Sequence, residues 1–181
     1  IEEINLPDSI VELPVGVFSA YVNLKKIKLP AELAEIPDLA FRYCYSLKEI
    51  DIPSPVTKIG TKAFYYCVSL KEVVIPENVR TVGASAFKKC VNLNKVIYKS
   101  TVSNSNYIPV DLKIFSECTV FAKATFSDCY NLETVEIPNN DLPIVICDSA
   151  FESCKSLKTL PFDHEIIYIA NEAFKNCDSL V

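Results

Sequence analysis

The sequence predicts a solenoid of the α/β type, in which coils of about 23 residues each carry a strand on one side and a short helical turn or loop on the other. Three observations lead there. Phenylalanine recurs at 18, 41, 64, 87, 126, 151 and 174, at intervals of 23, 23, 23, 39, 25 and 23. Cysteine follows three residues later at Cys44, Cys67, Cys90, Cys129, Cys154 and Cys177, with Tyr21 in its place in the first repeat. Leucine follows six later in all seven, at Leu24, Leu47, Leu70, Leu93, Leu132, Leu157 and Leu180. Units recurring at this period cannot bury an apolar face alone and must stack to make a core.

The strand comes from the run after each leucine. Positions nine and eleven past the phenylalanine are apolar, as in Ile50/Ile52 and Val73/Ile75, and this period-2 alternation of β-branched residues reads as a short strand. Pro30, Pro53, Pro76 and Pro138 then end it, because proline cannot donate to a ladder. The segment descending to the next phenylalanine, such as 56–64, reads as a return. From Ala63 to Cys67 the run is too short for a stable helix and predicts a single helical turn. Five past each phenylalanine stands only Asn or Ser, from Asn23 and Ser46 to Ser179. Short polar side chains there can bond a neighbouring backbone group and close the turn into the strand.

The cysteines predict packing, not chemistry. Equivalent residues in stacked coils lie roughly 5 Å apart, but side chains pointing in parallel rarely meet disulfide geometry. Zinc sites in short domains use cysteine pairs two to four apart. All eight cysteines are therefore expected to be reduced, filling tight corners, with Cys118 and Cys147 as small-residue substitutes where other repeats have Val56 or Gly60.

The pattern A-F-x-x-C-x-x-L-x-x-I-x-I-P, preceded by V-x-x-I-G and seen nearly whole in "VTKIGTKAFYYCVSLKEVVIP" (56–76), resembles the BspA-like, treponemal-type leucine-rich repeats. The likeness covers almost the whole chain. It departs locally, with Pro14 and Pro37 in the glycine place and "VFSAY" in the first repeat. It implies a curved leucine-rich repeat stack with a parallel β-sheet on one face. It also implies a protein displayed on or secreted by mucosal bacteria or protozoan parasites, often an adhesin for host matrix proteins or other microbes.

Residues 1–181 read as a single domain of about seven coils, interrupted by an insertion at 99–117. The insertion opens with polar "KSTVSNSN" and continues with "YIPVDLKIF" (107–115), whose alternation predicts an extra strand on the side of the solenoid. Both termini fall within strand positions, so the chain is expected to be part of a longer array whose export signal and anchor lie elsewhere.

Composition excludes several functions. A net charge of −5 argues against a nucleic-acid-binding surface, and no apolar run is long enough to span a bilayer. One histidine, His164, and three glycines cannot furnish a catalytic triad or a phosphate cradle. No enzyme activity, cofactor or metal is expected. Two candidate binding surfaces remain. Residues eight and ten past each phenylalanine should point off the strand face: Lys26, Lys28, Glu49, Asp51, Glu72, Val74, Lys95 and Ile97, with ion pairs expected from the lysines to Glu49 and Asp51 and from Lys95 to Glu72. Tyr43, Tyr45, Tyr65 and Tyr66 form an aromatic group on the turn side. The expected function is a cell-surface or secreted protein-binding module whose ligand is an extracellular-matrix or host surface protein. A structural spacer that binds nothing and an intracellular interaction scaffold are the alternatives.

Overall fold

Seven phenylalanines stack in one column through a parallel β-solenoid. The computed structural model describes residues 1–99, 118–138, 142–160 and 165–181. Ring centroids of Phe41 and Phe64 lie 5.2 Å apart, those of Phe64 and Phe87 5.2 Å apart, and the planes are within 11° and 2° of parallel. The stack continues through Phe126, Phe151 and Phe174 and begins at Phe18. Around it the leucine and cysteine columns and the inward strand residues close one apolar core.

The strand predicted after each leucine is present after Leu24, Leu70, Leu93 and Leu132 as β2 (Lys26–Lys28), β5 (Glu72–Ile75), β7 (Lys95–Tyr98) and β9 (Thr134–Glu136), and at the matching place after Ile1 as β1 (Glu3–Asn5), but not over 48–52 or 158–160. These pair in parallel as β1-β2 and β5-β7-β9. The descending segment is not a plain return. It carries a second set of short parallel strands, β3 (Glu35–Ile36), β4 (Lys58–Ile59), β6 (Thr81–Val82), β8 (Thr119–Phe121), β10 (Ile144–Ile146) and β11 (Ile166–Ile169), paired as β3-β4-β6 and β8-β10-β11. Each coil is thus narrow enough to bond its neighbours on two sides.

No helix is present among the described residues, so the helical turn expected over Ala63–Cys67 is replaced by something else. The N–H groups of Lys62, Phe64 and Tyr66 donate to Ala84, Ala86 and Lys88 in the next coil, at 3.0, 2.8 and 2.9 Å. Those of Ala63, Tyr65 and Cys67 close onto Gly60, Lys62 and Phe64 within the turn, at 3.3, 3.2 and 3.1 Å. A helix directs every N–H along one axis, whereas this turn sends alternate ones sideways. The alternation requires left-handed residues, and Lys62 and Tyr66 have φ of 56° and 64°. The same pair recurs two residues before and two after every phenylalanine of the column, from Gly16 and Ala20 to Glu172 and Asn176.

The cysteine column does more than fill space. The thiols of Cys44, Cys67, Cys90, Cys129, Cys154 and Cys177 each donate to the carbonyl of the phenylalanine one coil earlier, at 3.0 to 3.2 Å. All eight cysteines are free, and all but Cys177 are buried. Cys118, the counterpart of core residue Val56, instead joins Val120, Val145 and Cys147 in a second, outer cluster. There the outward position, charged in β3 (Glu35) and β4 (Lys58), becomes Val120 in β8 and Val145 in β10, both buried. At Gly60 the preceding coil passes so close that a Cβ would strike the backbone of Asp38, which explains the small residue there. The Asn row also bonds coil to coil: Asn92 Nδ2 donates to Val68 O at 2.8 Å, and Asn131 Nδ2 to Asn92 Oδ1 at 3.3 Å. All of the insertion at 99–117 but Lys99, with its expected strand, and His164 lie outside the described residues.

Candidate functional site

On the strand face β2 turns Lys26 and Lys28 outward and buries Ile27, as the alternation requires. The next coil breaks the sheet. Ile50 is buried and Glu49 and Asp51 are exposed, yet Glu49–Ile52 forms no strand and no ladder joins it to β2 or β5. Two adjoining hollows flank this unpaired segment. One, of about 440 Å³, lies toward β2 and is lined by Lys26, Lys28, Leu29, Asp51 and Ile52. The other, of about 380 Å³, lies toward β5 and is lined by Glu49, Asp51, Ile52, Glu72 and Val74.

The charges pair only in part as expected. Lys26 Nζ meets Glu49 Oε1 at 2.9 Å and holds that carboxyl below its ordinary pKa through a hydrogen bond and charge attraction. Lys28 turns to Asp8 at 3.5 Å instead of Asp51. Lys95 stands opposite Glu72 in register but reaches diagonally to Glu136 at 2.7 Å. Among the described residues Asp51 and Glu72 therefore make no ion pair, and both face the hollows. Val74, 38% exposed, stands opposite the half-buried Ile97. Six of the eight strand-face residues thus come together around Asp51 and Ile52, whereas Lys95 and Ile97 lie one coil beyond.

The four tyrosines also meet. Tyr65 and Tyr66 have ring centroids 4.8 Å apart, Tyr43 lies 5.7 and 5.5 Å from them, and Tyr45 lies 6.0 Å from Tyr43. Cations missed in the sequence complete the group. Arg42 sits 4.4 Å over Tyr43, Lys89 5.6 Å over Tyr66 and Lys62 5.9 Å over Tyr65. Arg42 Nη2 donates to Tyr43 Oη at 3.0 Å, while its buried Nε–H has no acceptor. Burial, then the neighbouring Tyr66, raises the Tyr65 hydroxyl above its ordinary pKa. Reading the two positions after each phenylalanine as columns would have found Arg42, Lys88 and Lys89 beside the tyrosines.

Among the described residues no helix is long and apolar enough to cross a membrane. A family model described as "BspA type Leucine rich repeat region (6 copies)" matches residues 1–119 and 105–181. Among solved structures, the chain is similar to a Treponema pallidum leucine rich repeat protein, with 25% identity, a TM-score of 0.65, and coverage of 93% of this chain and 87% of that one. It is similar to a leucine rich cell surface protein of Faecalibacterium prausnitzii A2-165, with 26% identity and a TM-score of 0.72, over 100% of this chain and 46% of that one. The pneumococcal vaccine antigen PcpA shares the fold at 23% identity and a TM-score of 0.60, over 93% and 42% of the two chains. The chain spans less than half the length of the last two. No curated protein sequence matches it significantly. Leucine-rich repeats are generally protein-interaction modules and typically not enzymes. With the phenylalanine, cysteine and leucine columns in place and the family model matched from end to end, the chain belongs to the BspA-type leucine-rich repeat family.

Proposed function

We propose that this chain is the protein-binding module of a cell-surface or secreted protein, and that it engages an extracellular-matrix or host surface protein through the strand face at its third coil. One observation carries this reading. Asp51 and Glu72, carboxylates with no ion-pair partner among the described residues, stand beside exposed Val74 and half-buried Ile52 in two adjoining hollows. Mixed apolar and charged patches of this kind suit protein partners, whose anchors combine a hydrophobic stem with a polar tip. Similarity to the F. prausnitzii cell surface protein supports the location.

The experiment is surface binding against a panel of purified matrix proteins, comparing the wild type with Val74→Asp/Ile97→Asp and with Asp51→Asn/Glu72→Gln. A ligand of the strand face should lose about tenfold or more in affinity to each variant. Binding that both variants leave unchanged overturns the site. A second reading, an intracellular scaffold, is favoured by the eight free cysteines, since oxidising compartments favour pairing. Fractionation of cells expressing the full-length protein separates the two.

A further inference from the structure

We propose that the turn edge around Tyr43, Tyr65 and Tyr66 is a second binding site, for a sulfated polysaccharide. The protein carries −5 overall, yet on this edge Arg42, Lys62, Lys88 and Lys89 gather. Among the described residues Arg42 and Lys62 make no ion pair, and Lys88 and Lys89 share one carboxylate, Asp128, at 3.9 and 3.5 Å. On the strand face the opposite holds, with Lys26, Lys28 and Lys95 each against a carboxylate.

The way the edge cations are held makes the difference matter. A ring quadrupole attracts a cation without neutralising it. An anion arriving at Arg42 or Lys62 therefore meets full charge on side chains that are already positioned, with no ion pair to break first. Arg42 also keeps a donor without an acceptor in its Nε–H. A guanidinium drawn slightly outward presents that N–H and a second one to two oxygens of a sulfate, the fork geometry arginine uses for oxyanions.

Between the charges lies an aromatic surface. The tyrosine rings touch at 4.8 to 6.5 Å and offer apolar facets. Among the described residues the hydroxyls of Tyr45, Tyr65 and Tyr66 have no hydrogen-bond partner, whereas Tyr43 Oη accepts from Arg42. Apolar facets edged with free hydroxyls match a pyranose ring, with its C–H faces and polar rim. Phenylalanine rings of successive coils lie 5.2 Å apart at Phe41–Phe64 and again at Phe64–Phe87, about one sugar residue along an extended polysaccharide. A repeating polymer can therefore meet Arg42, Tyr65 and Lys89 on successive coils. An acidic peptide lacks the C–H faces of a sugar ring, and single-stranded DNA, a polyanion like the sulfated polymer, is separated from it by the test below.

The test uses the whole chain and four probes of similar length: heparin, desulfated heparin, polyglutamate and single-stranded DNA, measured by calorimetry at two salt concentrations. Heparin should bind, and desulfated heparin, polyglutamate and DNA should bind at least about tenfold more weakly. Tyr45→Ser/Tyr65→Ser, which keeps every charge, and Arg42→Gln/Lys62→Asn, which keeps every ring, should each weaken heparin by about tenfold. The second pair should also lower the salt dependence. Lys26→Gln/Lys28→Gln on the strand face should change nothing, and melting curves establish that each variant is folded. If the tyrosine pair fails to fold, the arginine–lysine pair decides alone. No heparin binding overturns the proposal. Equal binding of polyglutamate or DNA does so too and assigns the edge to an acidic peptide or to nucleic acid. Equal weakening by the strand-face variant also overturns it. The outcome is independent of the matrix-protein experiment, whose variants lie on the other face.

Discussion

The thiol of Cys67 donates to the carbonyl oxygen of Phe41, 26 residues earlier and one coil back, at 3.2 Å. That oxygen already accepts the N–H of Cys44 at 3.1 Å, so the thiol engages its second lone pair. Cys67→Ala removes the donor and opens a small cavity in a fully buried site. It should cost about 1–2 kcal/mol in urea denaturation. Cys67→Ser keeps a donor at the same carbonyl and should cost less than the alanine variant. Equal loss in the two variants would show that the thiol acts by volume alone.

Burial also sets how these thiols titrate. It is the chief cause that lifts Cys44 from an ordinary 9.0 up to about 12 and Cys147 up to about 11. Because the folded values lie above the unfolded one, the neutral thiols contribute stability that is complete below pH 9. That contribution falls as pH climbs from 9 toward 11 and 12. Melting temperature should drop between about pH 9 and 10.5, and less steeply in Cys44→Ala/Cys147→Ala than in the wild type. A thiol reagent at pH 8 should label the native column slowly and all eight cysteines once the chain is unfolded.

The columns were legible in the sequence because every coil asks the same of the same offset: Phe64, Cys67 and Leu70 repeat as types because their slots repeat as shapes. The left-handed turn was not, because Lys62, Tyr66 and Ser85 are not residues that signal it. There the conformation is imposed by hydrogen bonds to the next coil, which local propensity does not record. Similarly, register places Glu72 against Lys95, and only side-chain reach sends Lys95 to Glu136. Glu49–Ile52 fits the strand pattern as well as its neighbours do, and nothing in those residues explains the missing ladder that opens the two hollows.

The same turn offers a stabilising substitution. Ser85 holds φ 57° while its N–H donates to Lys123 O at 2.9 Å. A non-glycine residue there carries roughly 1–2 kcal/mol of strain, and glycine relieves it at about 0.5–1 kcal/mol of extra backbone entropy in the unfolded chain. Ser85→Gly should therefore stabilise by about 0.5 kcal/mol net. Ser85→Val, β-branched in the same conformation, should destabilise by more than that. Both are read from thermal unfolding, and a melting temperature lowered by glycine would contradict the account.

Phe64 tests whether the solenoid fails coil by coil or together. It is fully buried, and its ring lies 5.2 Å from both Phe41 and Phe87. Phe64→Ala deletes a core aromatic and should cost about 3–5 kcal/mol. Each coil touches only its neighbours, so the loss weakens two interfaces at once, those with the Phe41 and Phe87 coils. Hydrogen exchange should show the N–H groups of Phe41, Phe64 and Tyr66, which donate across those interfaces, losing protection together. Phe151 N–H, which donates to Ala173 far along the stack, should keep more of its protection. Equal loss along the whole chain would mean that the array unfolds as one cooperative unit and not by neighbouring coils.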